Sequence, residues 1–319
     1  MNSEAVSNLQ RILASGQFAV TAECGPPRGA DEQVLKKKGV CLKGYVDAVN
    51  VTDNQTAIVR MSSIASCLHL MHLGLEAVMQ MVTRDRNRIA LQSDILGAHS
   101  LGIRNILCLT GDHQTFGSQP EAMNVFDIDS MNLIRAVRDM REEGKDMSGF
   151  DLIGPPRMFI GAAANPFADP LEYRVVRLSK KIDAGADFIQ TQCVYNMVRF
   201  KEWMRLAREE GLTERVHILA GVTPLKSEGM ARYMANRVAG MDVPPAIIKR
   251  MAGVPKEKAG QEGTKICLET IAELREIEGV HGVHIMAIEW EERVPEILEA
   301  AGLTPRPEVI ENLKELRAR

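Results

Sequence analysis

Two polar side chains stand inside runs that are otherwise aliphatic: Glu23 closes FAVTAE (18–23) and Gln192 closes FIQTQ (188–192). A carboxyl in such a run needs a partner or a ligand, and burial would raise its pKa toward the range in which a general acid works at neutral pH. Glu23 could equally be a strand end facing wet loops, and the pattern by itself leaves both readings open. Other runs carry or end in groups of the same kind: Thr21; Thr52, Asp53 and Asn54; Gln80 and Thr83; Thr110, Gly111 and Asp112; Asn165 and Thr191; Thr223; and Glu289.

Several familiar chemistries are missing. The chain has no HExxH, no GxSxG, no Walker loop and no Cys/His cluster at zinc spacing. Its six cysteines, Cys24, Cys41, Cys67, Cys108, Cys193 and Cys267, never fall within four residues of each other, which reads as reduced core thiols of an intracellular protein. His69 and His72 read as a solvated helix edge before a metal pair, and His284 as a satisfied core histidine. Met79 and Met81 alternate along one run and read as core. The clusters RDRNR (84–88) and VRDMREE (137–143) read as solvated loop and helix faces, with Arg84 the one residue placed to meet an anionic cofactor.

The elements that must position these groups repeat. Eight aliphatic runs begin at residues 18, 48, 77, 105, 159, 188, 218 and 283, so successive starts lie 30, 29, 28, 54, 29, 30 and 65 residues apart. Five of those intervals hold one strand, one helix and two loops. Between the runs lie apolar helix faces: Leu171, Val175, Leu178 and Ile182; Ile64, Leu68 and Met71; Leu91, Ile95 and Ala98; Cys267, Ile271 and Leu274. Strands apolar on both faces belong to a parallel sheet covered by helices. Eight such units predict an α/β fold, a single (β/α)8 barrel over residues 1–319. The two long intervals become insertions after strands four and seven, the second carrying an extra helix around 245–252 behind Pro244 and Pro245. An open doubly wound sheet is the rival, and no GxGxxG follows the first run to support it.

Composition closes off other classes. The 319 residues are 45% hydrophobic and 25% charged, which excludes a disordered or repetitive chain. A net charge of −3 gives no general electrostatic reason to bind nucleic acid or an anionic membrane. The first residues lack the basic and apolar regions of a signal peptide, and no apolar run is long enough for a membrane helix. A cytoplasmic protein is expected. With only 4% aromatic residues, a bound ring system must rest on amides, carboxylates and aliphatic walls.

FAVTAECGPPRGAD, VNVTDN, LCLTGDHQTFG, GAAANPFADP, KKIDAGADFIQTQ and LAGVTPL occur in this order from about residue 12 to about residue 303. Together they resemble the methylenetetrahydrofolate reductases, flavin-dependent barrels of one-carbon metabolism. The likeness looks closest to the short bacterial catalytic subunits. Cys-Gly before Pro-Pro, where many members have Phe-Phe, is similar to forms from anaerobes that make acetate. The resemblance implies reduction of 5,10-methylenetetrahydrofolate to 5-methyltetrahydrofolate: a proton on N10 opens the ring to an N5 iminium, which accepts hydride from reduced flavin. It implies Glu23 as the general acid and Asp112 as the carboxylate beside the flavin, favouring the cationic iminium. Gln192 would contact the pterin through its amide. Thr52, Gln80, Thr110, Gly111, Ala163 and Lys181 match positions around the flavin, Lys181 as a phosphate counter-charge.

Four positions depart from the family pattern. Gln80 replaces a histidine, Arg174 stands where an acidic residue would meet the flavin ribose, Thr110 replaces an arginine, and Trp290 replaces another near the last strand. The resemblance therefore implies FAD, with FMN as the alternative, and leaves the electron donor open among a nicotinamide nucleotide, ferredoxin and a partner subunit. A homo-oligomer or a complex with an electron-delivering subunit is expected. Two rival readings are a pterin-binding barrel that transfers methyl groups to a corrinoid partner, using Asn54, Asp112 and Gln192, and a non-catalytic subunit that docks an electron carrier.

Overall fold

Residues 5–310 and 313–314 are described by a computed structural model. Eight strands carry the sheet: β1 (Ala19–Cys24), β2 (Ala48–Val51), β3 (Ala77–Val82), β4 (Asn105–Leu109), β5 (Phe159–Ala164), β6 (Phe188–Cys193), β7 (His217–Val222) and β8 (Val280–Ile285). Each pairs in parallel with the next, and β8 pairs with β1 to close the barrel. The helices are α1 (Asn8–Ala14), α2 (Glu32–Leu42), α3 (Ser63–His72), α4 (Arg88–Ser100), α5 (Ser130–Glu142), α6 (Leu171–Ala184), α7 (Met197–Glu209), α8 (Glu228–Arg237), α9 (Pro245–Ala252), α10 (Ala259–Arg275) and α11 (Val294–Ala300). The expected (β/α)8 barrel is the observed one.

Local chemistry starts and stops these helices. Asn87 Oδ1 accepts from the Ile89 and Ala90 amides at the head of α4, and Asp129, Asn196 and Ser227 cap α5, α7 and α8 in the same way. Gly185 ends α6 in the left-handed region at φ +116°, where a side chain would be strained. The insertion after β7 contains α8 and α9, the latter at the expected place. The surplus after β4 is divided: one stretch, 113–129, precedes α5, and a second, 143–158, lies between α5 and β5.

Three of the anticipated helix faces are buried largely as expected; Leu171 is only half-buried. The α3 face is a correction. Cys67, Leu70 and Met71 face the core, whereas Ile64 and Leu68 are half-buried at its flank. Ser63, Ser66 and Cys67 share that inward stripe with Leu70 and Met71, so of the expected face only Met71 is buried.

The inward positions of the strands fill the barrel in layers. The lower layers are apolar: Ala19, Ala48, Val78, Leu107, Phe159, Phe188 and Leu219 pack together with Leu9, Ile12 and Leu13 of α1, which stoppers the N-terminal end. Buried Glu76 holds that stopper by accepting from the Asn8 and Leu9 amides at 2.7 and 2.9 Å. Phe188 lies stacked on Phe159 with ring centroids 5.0 Å apart, and its ring crosses Gly161, where an added Cβ would meet Phe188 Cζ at 2.2 Å.

Gly161→Ala should therefore destabilise the barrel by about 2–4 kcal/mol, because the fully buried ring has nowhere to move. Thermal denaturation of the variant checks this; a melting temperature equal to that of the parent would show that the interior can repack.

Candidate active site

Above the apolar layers the interior turns polar. Thr21, Asn50, Gln190 and His284 all face inward and are buried. Gln190 bridges the barrel: its Oε1 accepts from Asn50 Nδ2 at 2.6 Å, and its Nε2 donates to Asn50 Oδ1 at 3.1 Å and Thr21 Oγ1 at 3.2 Å. Thr21 Oγ1 in turn lies 2.9 Å from His284 Nδ1. Burial pushes His284 down to about 3, so the imidazole is neutral at physiological pH and serves as a fixed hydrogen-bonding group. His284 is thus the satisfied interior histidine expected, and it also borders the cavity above.

That cavity, of about 420 Å³, opens at the C-terminal ends of the strands, where a (β/α)8 barrel binds its ligands. Gln190 and His284 form its floor and Leu107, Leu109, Ala163, Ala164 and Met286 its apolar walls. Among the described residues no Phe, Tyr or Trp lines it, in keeping with the composition.

Glu23 stands on one wall, one inward position beyond Thr21 on β1 and paired in register with Asn50. Gln55 Nε2 donates to its carboxylate at 3.3 Å. Burial pushes Glu23 up to about 7; Gln55, Lys38 and Arg60 work against the shift and Glu291 works with it. A carboxyl poised there can hold a proton at neutral pH and release it into the cavity. Gln192 lies on the same mouth, its Nε2 3.5 Å from the Ala239 carbonyl and its Oε1 accepting from the Cys193 amide at 3.1 Å. Gln80 borders the cavity from β3.

Helix α6 supplies the opposite character. Arg174, Arg177 and Lys181 line the cavity from one helix face, and none of the three is ion-paired with a carboxylate among the described residues. Lys181 donates to the Ala163 carbonyl, and burial, helped by Arg177, brings its ammonium down to about 8. Arg174 is held at the rim by the Ala168 and Asp169 carbonyls, both at 3.1 Å. Three cations without carboxylate partners make this wall a receptor for an anionic group.

Of the residues singled out in the sequence, Glu23, Gln80, Ala163, Lys181 and Gln192 border one cavity, with Asn165 and Thr191 beside them. Thr52, Thr110, Gly111 and Asp112 lie outside its walls. Thr52 is buried with no hydrogen-bond partner for its hydroxyl. Thr110 Oγ1 accepts from the Ser130 amide at 3.2 Å, Gly111 turns at φ +90° against Val82, and the Asp112 side chain is exposed. Asp53 is engaged elsewhere, by Arg86 and by the Val82 amide. Trp290 lies between two cations, 5.8 Å from Lys226 and 5.1 Å from Arg293.

The reading of RDRNR as a solvated face holds for the exposed Asp85, Asn87 and Arg88 and is corrected at Arg84. Arg84 is only 2% exposed and clamps two loops, donating to the Asp112 carbonyl at 3.0 Å, the Asn54 carbonyl at 3.1 Å and the Asp85 carboxylate. Its guanidinium is engaged in holding these loops, and it is not among the residues that line the cavity. Sequence reasoning also missed Asn50 and Gln190. The available signal was alternation: Thr21 with Glu23, and Gln190 with Gln192, repeat at the strand period and so share the inward face. His69 is paired with Glu32 at 3.0 Å, and no group of metal-ligating side chains occurs among the described residues.

Residues 8–302 match the family model for methylenetetrahydrofolate reductase. The chain belongs to the methylenetetrahydrofolate reductase family. Within that family it is 24% identical over 306 residues to a probable methylenetetrahydrofolate reductase (NADPH) of Caenorhabditis elegans, covering 92% of this chain and 44% of the relative. It is 23% identical over 314 residues to the 5,10-methylenetetrahydrofolate reductase of Pectobacterium carotovorum subsp. carotovorum, covering 95% and 97% of the two chains. The chain spans less than half the length of the worm and yeast reductases it matches. Among solved structures, an uncharacterized protein from Clostridium thermocellum that binds two copies of 5-methyl-5,6,7,8-tetrahydrofolic acid superposes with a TM-score of 0.64 at 15% identity. That superposition covers 93% of this chain and 99% of the other, and shares the barrel fold. No helix among the described residues is long and apolar enough to cross a membrane.

The raised proton affinity of Glu23 has a thermodynamic sign. The acid form is favoured in the folded protein, so its contribution is intact below the ordinary value of 4.5 and is lost as pH rises through about 7. Glu23→Gln removes that loss. The variant should melt higher than the parent at about pH 8.5, by the equivalent of about 1–3 kcal/mol, with the gap closing toward pH 4.5. Calorimetry at the two pH values tests this, and no gap at the higher pH would mean that the carboxylate is solvated.

Proposed function

We propose that this family member reduces 5,10-methylenetetrahydrofolate to 5-methyltetrahydrofolate in a flavin-dependent reaction, with Glu23 as the general acid. The observation that carries the reading is a carboxyl raised to about 7 on the wall of the strand-end cavity, within a chain of the reductase family. The folate bound by the Clostridium thermocellum protein on the same fold agrees with it.

The residues present fit a flavin. The cavity volume of about 420 Å³ lies in the range of small-molecule sites. Arg177 and Lys181 would take the phosphate, with Arg174 at the rim. Gln80 and the backbone at Ala163 would border the ring system, and Thr110, Gly111 and Asp112 would meet it from the turn after β4. Thr52 offers a buried hydroxyl still lacking a partner. When bound, the flavin supplies the hydride that converts the methylene carbon to a methyl group.

The chain's own part is acid catalysis and orientation. Glu23 gives a proton to N10 of the folate, which makes the amine a leaving group and leaves the cation at N5 and the methylene carbon. Asp112 provides a negative charge that favours this cation. The Gln192 amide, donor and acceptor together, orients the pterin edge. Leu107, Leu109 and Met286 keep the reacting face apolar, which strengthens these electrostatic terms. FAD is the proposed cofactor and FMN the alternative, since three cations without carboxylate partners suit a terminal phosphate as well as a diphosphate. A homo-oligomer or an electron-delivering subunit completes the proposal.

The purified protein should be yellow, with absorbance near ~450 nm bleached by reductant, and acid release followed by mass spectrometry should identify the flavin. Glu23→Gln should keep that colour and lose folate turnover by about 10²–10⁴-fold. Unaltered turnover, or a colourless protein that takes up no flavin, would overturn the reading. Lys181→Met should weaken flavin retention by about tenfold, measured by fluorescence on dilution, while the fold stays intact.

A further inference from the structure

The loop after β8 is built around charges that line no part of the cavity. Lys38, on α2, has a side chain only 12% exposed, and its Nζ lies 2.8 Å from Glu291 Oε1, 3.1 Å from Glu289 Oε2 and 3.5 Å from the Gly25 carbonyl. Glu291 is itself buried, with its side chain 6% exposed, whereas that of Glu289 is 62% exposed. Gly25 is two residues beyond Glu23, so the same ammonium that neutralises Glu291 tethers the turn that ends β1. The other side of that turn is held by Arg60, whose Nη1 donates to the Pro26 carbonyl at 2.7 Å.

The backbone around Glu291 is held in an unusual shape to reach this position. Glu289 has φ +51°, in the left-handed region that glutamate seldom adopts, and its carbonyl accepts from Lys226 Nζ at 2.8 Å. A buried ion pair is a costly way to join a helix to a loop, because two apolar side chains do it without desolvating charge. What the ion pair provides, and an apolar pair would not, is a placed charge behind the carboxyl of Glu23.

We propose that the buried Lys38–Glu291 pair is a positioning device for Glu23, tethering its strand end and setting the charge against which its proton is held. This rests on the reading of Glu23 as the acid. The groups acting on Glu23 come from several elements: Lys38 from α2, Glu291 from the loop after β8, Arg60 and Gln55 from the segment after β2, and the Cys193 thiol from β6, while Gln190 and His284 line the same cavity as its floor. Asp53 is committed to Arg86, and His284 is neutral. Glu291 and Lys38 therefore act with opposite sign on one carboxyl, and their combined charge is close to zero. Loss of Glu291 alone leaves Lys38 paired only with the largely exposed Glu289 and so favours the Glu23 carboxylate. Loss of both charges returns the balance to near its starting point.

The test is a pair of variants in the full-length protein as purified. The Glu23 carboxyl is titrated by carbon-13 NMR after glutamate labelling, with its resonance assigned by its absence in Glu23→Gln. In Glu291→Gln the midpoint should fall by about one pH unit, and in the double variant Lys38→Met/Glu291→Gln it should return to within a few tenths of the parent value. The upper pH limit of turnover should move with it in both. A midpoint unmoved in the folded Glu291→Gln protein, or one displaced equally in the double variant, overturns the proposal, since a purely structural role would not be repaired by removing the second charge. If Glu291→Gln does not fold, Lys38→Met takes its place: it leaves the Glu291 charge uncompensated and should raise the midpoint by about one pH unit, and an unmoved midpoint overturns the proposal. Midpoints that move as stated while the pH limit of turnover stays fixed would uphold the pair and refute Glu23 as the acid.

Discussion

Closing eight parallel strands into a cylinder fixes where every other feature can be. The interior admits only the strands' own inward side chains, so each level must be filled by residues of the right size or left open as a site. In this chain the lower levels are filled by aliphatic and phenyl groups, and Gly161 exists because the Phe188 ring occupies its space. The next level is not aliphatic. Asn50, Gln190, Thr21 and His284 satisfy one another across the axis, which lets a polar floor exist at a depth where unpaired groups would be costly. Glu23 stands directly above that floor on the same strand, and its raised proton affinity follows from how much protein surrounds it there.

The rim divides into two electrostatic halves that come from different parts of the chain. Helix α6 offers three cations in succession, without acids to quench them. The opposite side, from the ends of β1 and β8, offers Glu23, Glu289 and Glu291 with Lys38 between them. Arg84 holds the loops after β2 and β4 together by their carbonyl oxygens, so the exposed Asp112 stands on a braced turn. A ligand with an anionic tail and a centre that becomes cationic during reaction matches this polarity.

Much of this was legible in the sequence because it depends on period. The eight aliphatic runs recur at the spacing of a strand and a helix, and five of them agree with the observed strands to within two residues; the runs at 48–54 and 105–112 end sooner, at Val51 and Leu109, and the last strand is Val280–Ile285 where 283–288 is expected. Glu23 and Gln192 stood out because a charge or amide in an aliphatic run is expensive. Asn50 and Gln190 did not, although Gln190 shares its face with Gln192, because their hydrogen bonds join strands far apart in sequence. Arg84 was misread for a related reason. A charge-rich pentapeptide resembles a solvated loop until two neighbouring loops bring their carbonyls to its first arginine. In α3 the small Ser63, Ser66 and Cys67 lie inside beside Leu70 and Met71, while Ile64 and Leu68 fall at the flank, a matter of packing distance that composition does not encode.

The stopper formed by α1 has a consequence for traffic. With Leu9, Ile12 and Leu13 packed into the lower end and Glu76 fastening the helix in place, the described residues leave the barrel one doorway, at the C-terminal ends of the strands. In the proposed reaction, whatever brings electrons and whatever carries the one-carbon unit would pass the same threshold, so the two would either queue or lie side by side. Occupancy of that doorway, as much as the chemistry behind it, would then govern the order of events in a turnover.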